Sequence, residues 1–253
     1  MRPNGRLARD LSAGCQSWIS RQAAIVIGRE MIPAVKRLLC GVLAVILLLS
    51  CSSLSEVNIQ LGDIISFGHY EQDNDSSNCA EPIEWRVLAN GNGLATLISV
   101  KALDCIPFHA KREPVTWDAC TLRKWLNEDF LNAAFTEEER AQLAVANVSA
   151  GDNPEYPTDS GKDTQDRAYL LSIDEAEQFF TSNEDRVCDL TAYASARGAK
   201  TNDAGACWWW LRSPGDETHD AADVNFNGSV YCGGFGVNFR FNAVRPVIVL
   251  RLS

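Results

Sequence analysis

The chain has 253 residues, 46% hydrophobic and 22% charged, with a net charge of −10. Residues 51–253 carry 16 basic and 31 acidic side chains, net −15. A surface this acidic repels phosphate backbones and argues against a nucleic-acid partner, while about 200 residues beyond position 50 suit one domain with a sizeable core.

Residues 1–30 hold five arginines and no useful apolar core, so Met31 is the better start. Leu38 to Leu49 is a twelve-residue run, apolar apart from Gly41, preceded by Lys36 and Arg37. It is shorter than the roughly 20 apolar residues a membrane span needs, and it fits the apolar region of a signal peptide covering 1–50. Leu48-Leu49-Ser50-Cys51 resembles a bacterial lipobox. That resemblance implies that Cys51 is acylated, becomes the mature N-terminus and anchors the chain in a membrane of the cell envelope. Residues 51–59, rich in serine, then read as a lipidated tether, and 60–253 as the folded domain.

Ile64 to Tyr70 reads as a first strand. Glu84 to Leu88 and Leu94 to Val100 follow, joined through Asn90-Gly91-Asn92-Gly93, whose Asn-Gly pairs favour a hairpin. Over Thr121 to Ala134 the period changes: Leu122, Trp125, Leu126 and Phe130 recur at helical spacing. Thr136 with Glu139, and Ser172 with Glu175, are capping-box patterns that open further helices. Gly151 to Asp166 is a polar loop whose Asp152, Asp159, Asp163 and Asp166 are the residue type that holds Ca²⁺, although EF-hand spacing is absent. Ala168 to Ser172 reads as a strand, and Thr191 to Arg197 as a helix stopped by Gly198. Strands interleaved in this way with short helices give an α+β class.

Six cysteines follow Cys51: Cys79, Cys105, Cys120, Cys188, Cys207 and Cys232. Outside the cytoplasm disulfides are permitted. Cys105–Cys120 and Cys188–Cys207 are the favoured pairs, since each closes a loop of about 15–20 residues, though sequence alone leaves the connectivity open. No CxxC occurs, and His69, His109 and His219 lack metal-ligand spacing, so no metal centre is expected.

Trp208-Trp209-Trp210 on a strand would alternate faces, and at least two of these indoles are expected in the core. Val224, Val230, Val237 and Val244 then recur every six or seven residues. Thr218, His219, Asp220, Asp223, Asn225, Phe226, Tyr231, Cys232, Phe235, Asn238, Phe239 and Arg240 stand around and between them. Rigid aromatics beside adaptable polar groups make good binding surfaces. Asn227-Gly228 marks a second hairpin. Arg212 and Arg245 read as semi-buried scaffold, and Pro246 within a closing strand implies an edge position or a bulge.

The string Trp209-Trp210-Leu211-Arg212-Ser213-Pro214-Gly215, with Asn227-Gly228-Ser229-Val230 and Ala243-Val244-Arg245-Pro246, resembles a bacterial family built on a domain of unknown function. Glu81 to Leu88 and Leu122 to Asn127 are similar to its earlier motifs, so the resemblance spans about 60–250. The C-terminal part also resembles C-type-lectin-fold proteins related to formylglycine-generating enzymes, several of which are variable proteins diversified by retroelements. The resemblance implies a C-type-lectin-like, formylglycine-generating-enzyme-type fold. It also implies a variable region at about 216–242 that binds a protein or glycan ligand outside the cell. Those enzymes use a pair of reactive cysteines near the C-terminus. Here only Cys207 and Cys232 lie in that region, and Cys232 falls at a variable position, so catalysis is not carried over. A polar site from Glu84, Asp163, Asp166 and Arg212 is the enzymatic alternative. No Ser-His-Asp spacing, HExxH or P-loop supports it. A purely structural envelope domain is the third reading.

Overall fold

The computed structural model describes residues 59–252, which belong to one compact unit. The signal peptide over 1–50, the lipidation of Cys51 and all of the tether except Ile59 lie outside the described residues. Among the described residues, no helix is long and apolar enough to cross a membrane.

Three antiparallel sheets and several short helices give the expected α+β class. The first sheet begins with β1 (Ile64–Tyr70), β2 (Glu81–Gly91) and β3 (Leu94–Ser99). The predicted Asn-Gly hairpin joins β2 to β3. Asn92 (φ 53°) and Gly93 (φ 73°) form its two-residue loop, and Gly91 pairs with Leu94. Two successive positive φ values match the twist of the flanking strands.

The helical segment after Cys120 runs as α1 (Thr121–Trp125), a π-turn (Leu126–Phe130) and α2 (Leu131–Ala134). Its apolar stripe is buried as its period requires: Leu122, Leu126 and Phe130 are fully enclosed. Asn127 in the π-turn donates to the Ala168 carbonyl (2.8 Å) and accepts from Arg167 N (2.8 Å), tying the segment to the sheet. Both capping boxes form as predicted, on α3 (Glu137–Gln142) and, after the short strands β4 (Ala146–Val148), β5 (Thr164–Asp166) and β6 (Ala168–Tyr169), on α4 (Ile173–Phe179). Each saturates two of the amide donors that a helix start leaves open. The helices α5 (Asn183–Arg186) and α6 (Ala192–Ala196) follow, the latter capped by Thr191 and ending before Gly198 at φ 111°.

The chain closes with β7 (Trp209–Pro214), β8 (Asp220–Val224), β9 (Val230–Gly236) and β10 (Val247–Arg251). Strands β7–β8–β9 form a sheet of their own, whereas β10 inserts between β3 and β6 in the order β1-β2-β3-β10-β6. Pro246 is therefore neither on an edge strand nor in a bulge. It precedes the first residue of an internal strand, where its missing N–H costs no ladder bond, and its carbonyl accepts from Ser99 N at 3.0 Å.

Trp209 and Trp210 are fully buried and Trp208 is half-buried, as expected for alternating indoles with at least two in the core. Arg212 and Arg245 are more deeply buried than semi-buried scaffold would be, at 1% and 3% exposure. The hairpin at Asn227-Gly228 places Gly228 at φ 80° against α5, where an added Cβ would meet the Asn183 carbonyl oxygen at 1.7 Å. Arg186 Nε also donates to the Gly228 carbonyl at 2.8 Å, so the turn has no freedom to retreat. Gly228→Ala is expected to cost about 2–4 kcal/mol, the sum of a left-handed backbone and an overpacked contact. A urea unfolding midpoint unchanged from wild type would refute this packing account.

Candidate functional site

The candidate surface is built on β7–β8–β9. Residues directly opposed in an antiparallel ladder project to the same face. Asp223 lies opposite Trp210 and Tyr231, and Ala221 opposite Phe235. Valines fix the scaffold: Val224, Val237 and Val244 are enclosed and Val230 is half-buried.

Around that frame the aromatic side chains connect. Tyr231 meets Phe235 edge-on (centroids 5.6 Å), Phe235 stacks on Phe239 (5.1 Å, 7° between planes), and Phe239 meets Phe241 edge-on (4.8 Å). Lys200 Nζ caps the row, 3.9 Å from the Phe241 centroid. Beside the hairpin, Phe226 packs edge-on against Trp208 at 5.0 Å, and Trp208 Nε1 donates to Asn225 Oδ1 at 3.1 Å. Phe226 and Tyr231 remain 37% and 44% exposed, while Asn238 and Arg240 are exposed in the turn after β9. The third tryptophan is thus part of the surface, and Phe241 and Lys200 join it as residues that sequence reasoning missed. The F-x-x-x-F-x-F spacing from Phe235 to Phe241 carried a signal for Phe241; nothing local marked Lys200.

The turn entering β8 carries Thr218, His219 and Asp220. Its backbone is fastened on both sides: Val115 N donates to the Thr218 carbonyl (3.0 Å) and Val237 N to the His219 carbonyl (2.9 Å). His219 Nε2 lies 3.1 Å from Glu217 Oε2. One ligand atom from each of Glu217, His219 and Asp220 falls within a 4.8 Å span, so these three could hold a metal ion. Partial burial raises the Asp220 carboxyl pKa, opposed by His219 and Arg112.

Two of the twelve expected surface residues are not on the surface. Asp223 is fully buried and Cys232 is 8% exposed. Asp223 lies in β8, which is enclosed on two faces, and Cys232 lies on β9 beside the exposed Tyr231 but is itself covered, so polarity there does not mean exposure. Among the described residues, no hydrogen bond of good geometry reaches either Asp223 carboxylate oxygen or the neighbouring Asn242 Nδ2. Burial pushes the Asp223 carboxyl up to about 8, and Asn242 lowers it only in part.

The acids of the 151–166 loop serve separate local partners. Asp166 accepts from Arg123 Nε (2.8 Å), Trp117 Nε1 (3.2 Å) and Thr164 Oγ1 (2.6 Å). Asp163 accepts from Ala150 N (2.9 Å), Asp159 from Gly161 N (3.0 Å), and Asp152 from Ser160 Oγ. Arg212 pairs with Glu175, while Glu84 lines a separate cleft of about 390 Å³ with Ser66, Gln72, Glu81 and Lys101. Glu84, Asp163, Asp166 and Arg212 are therefore engaged at different places. The carboxylates of Glu71, Asp73 and Glu81 near that cleft converge too. They cap loop amides, as in the Gln72 N to Glu81 Oε2 bond at 2.7 Å and the Asp75 N to Asp73 Oδ1 bond at 2.7 Å.

Neither of the two expected cysteine pairings is formed. Cys105, Cys120, Cys188, Cys207 and Cys232 are free thiols. Cys105 Sγ donates to the carbonyls of Arg240 (3.3 Å) and Asn242 (3.6 Å), while Cys120 Sγ caps α1 by accepting from Arg123 N (3.3 Å). Each of these sulfurs meets a backbone group, and Cys188 Sγ likewise reaches the carbonyls of Asp189 (3.4 Å) and Val100 (3.7 Å). Cys188 and Cys207 also face one another.

No curated protein and no solved structure matches the chain. A family model described as a domain of unknown function, DUF6273, matches residues 92–252, which include β7–β9 and most of the strands behind them, and the chain belongs to that family.

Proposed function

We propose that this protein is a lipid-anchored, extracytoplasmic binding protein, presenting the β7–β9 surface to a protein or glycan, and that a retroelement diversifies the surface. The observation that carries the reading is the row of aromatic rings from Tyr231 to Phe241, set beside a sheet anchored by the enclosed Val224 and the half-buried Val230. Aromatic rings supply contact area at low entropic cost, and Asn, His, Asp and Arg beside them supply adaptable hydrogen bonds. Side chains such as Phe226, Tyr231, Asn238 and Arg240 stand outside the core, so they can change without altering the frame. A C-type-lectin-like fold would display its C-terminal region in this way, and the α+β class accommodates it. Acylated Cys51 would hold the domain at a membrane and leave the far end of the chain free to meet a ligand.

Binding is tested by screening the purified full-length chain against a glycan array and immobilised envelope proteins. Tyr231→Ala and Phe226→Ala are then measured on the hit. Each is expected to weaken binding by about tenfold or more with little change in melting temperature. Unaltered affinity in both variants, or no hit in either screen, counts against a binding surface here; collapse of folding would assign the rings to structure. Diversification is tested separately in the DNA beside the gene. A reverse-transcriptase gene and a near-copy of the 3′ coding region differing at adenines are expected, and their absence removes diversification while leaving binding standing.

A further inference from the structure

The antiparallel bridge between Asp189 and Ala206 sets Cys188 directly opposite Cys207. Cys207 N donates to the Cys188 carbonyl at 2.9 Å, and the two thiols lie within hydrogen-bonding reach of one another. Opposed residues of a hydrogen-bonded antiparallel pair have Cα atoms about 5.5 Å apart, which falls inside the roughly 4.4–6.8 Å that a disulfide spans. Among the described residues no bridge sets Cys105 opposite Cys120; Cys188 Sγ also reaches the carbonyls of Asp189 (3.4 Å) and Val100 (3.7 Å), but Cys207 lies directly opposite it. We propose that Cys188 and Cys207 form an oxidation site that closes into a disulfide by exchange with an external protein or small-molecule disulfide, fastening the entry to the Trp208–Trp210 strand onto the 186–190 segment.

The surroundings make the pair asymmetric. Burial opposes ionisation of Cys188. The Cys207 thiol and the Arg245 guanidinium outweigh it, so Cys188 is held down at about 7. Cys207 is pushed well above its ordinary value. Arg245 is fixed there by donating to the carbonyls of Ser99 (3.0 Å) and Arg186 (3.4 Å) and by lying over the Trp209 ring. Cys188 is therefore the attacking sulfur. Its thiolate bonds to one sulfur of the external disulfide and displaces the other as a thiolate, which takes up a proton. Cys207 then loses its proton, and its sulfur attacks Cys188 Sγ in the mixed disulfide, displacing the second external thiolate. Two protein thiols are oxidised and one external disulfide is reduced to two thiols. Both cysteines are buried in the finished fold, at 1% and 0% exposure, so exchange proceeds during folding or when the 188–207 segment opens.

The test refolds the full-length chain in oxidised and reduced glutathione, blocks remaining thiols under denaturing conditions and maps the peptides by mass spectrometry. The expected product is a crosslink between the peptides of Cys188 and Cys207, about 2 Da lighter than the reduced pair, with Cys105, Cys120 and Cys232 still blocked. Closing the loop is expected to raise Tm by roughly 5–10 °C, a gain reversed by dithiothreitol and missing from Cys207→Ser. The peptide map is read on the unaltered chain, so it decides the question even where Cys207→Ser folds poorly. Recovery of both cysteines as blocked thiols, or a crosslink of either one to another cysteine, overturns the proposal.

Discussion

Replacing Arg212 with alanine is expected to lower the unfolding free energy by about 2–4 kcal/mol, because a buried guanidinium that serves two buried carbonyls and a partly exposed carboxylate is lost. The Arg212 side chain has no exposure, and it grips both carboxylate oxygens of Glu175, one of them at 2.8 Å. The same guanidinium donates to the carbonyls of Ser149 (2.9 Å) and Leu170 (2.8 Å). Glu175 in turn accepts from Ser172 N as half of the α4 capping box. One side chain on β7 thus joins the small sheet, the start of α4 and the ends of β4 and β6. Alanine would leave two carbonyls and a carboxylate without their donor, each costing part of its desolvation energy. Arg212→Lys is expected to restore less than half of the loss, because an ammonium cannot fork onto a carboxylate and reach two further carbonyls. Chemical denaturation of wild type and both variants measures this. A loss below about 1 kcal/mol in Arg212→Ala would mean that packing, not the charge network, joins these elements.

What the sequence made legible was local. The hairpin at Asn92-Gly93, the capping boxes at Thr136 and Ser172 and the stop at Gly198 all depend on residues within a few positions, and all are formed. The buried stripe of Leu122, Leu126 and Phe130 followed from period alone. Long-range placement was not legible. Nothing in Val247–Arg251 says that it enters between β3 and β6, because a mostly apolar run fits an edge or a centre equally well. That is why Pro246 was expected at an edge. The candidate surface was legible in its exposed members and misjudged where polarity was taken for exposure. Strand β8 reads Asp-Ala-Ala-Asp-Val, and from Ala221 onward it is buried on both faces. The alternation rule sets Asp223 on the face opposite Ala222 and Val224, so nothing local marked it as buried; the cover comes from residues distant in sequence.

That buried carboxylate gives the second large expected effect. In the unfolded chain Asp223 titrates near about 3.9; in the fold burial pushes it up to about 8. Between those values the folded chain keeps a proton that the unfolded chain has released. Stability must then fall as pH rises, at up to about 1.4 kcal/mol per pH unit for this one group. The favourable state is fully present below about pH 4 and is lost as pH climbs through about 8, the reverse of an ordinary ion-paired aspartate. Asp223→Asn removes the titration and keeps the shape, presenting a neutral amide to Asn242. It is expected to match wild type below about pH 4 and to exceed it by several kcal/mol at pH 8, where wild type must bury a charge or pay to protonate it. Subtracting the two stability curves isolates Asp223, because every other carboxylate is common to both proteins. The difference should grow steadily from pH 5 to pH 8. A flat difference would mean that Asp223 is ionised in the fold at neutral pH and has a partner there, which would turn attention to Asn242 and to water reaching the strand beneath Tyr231.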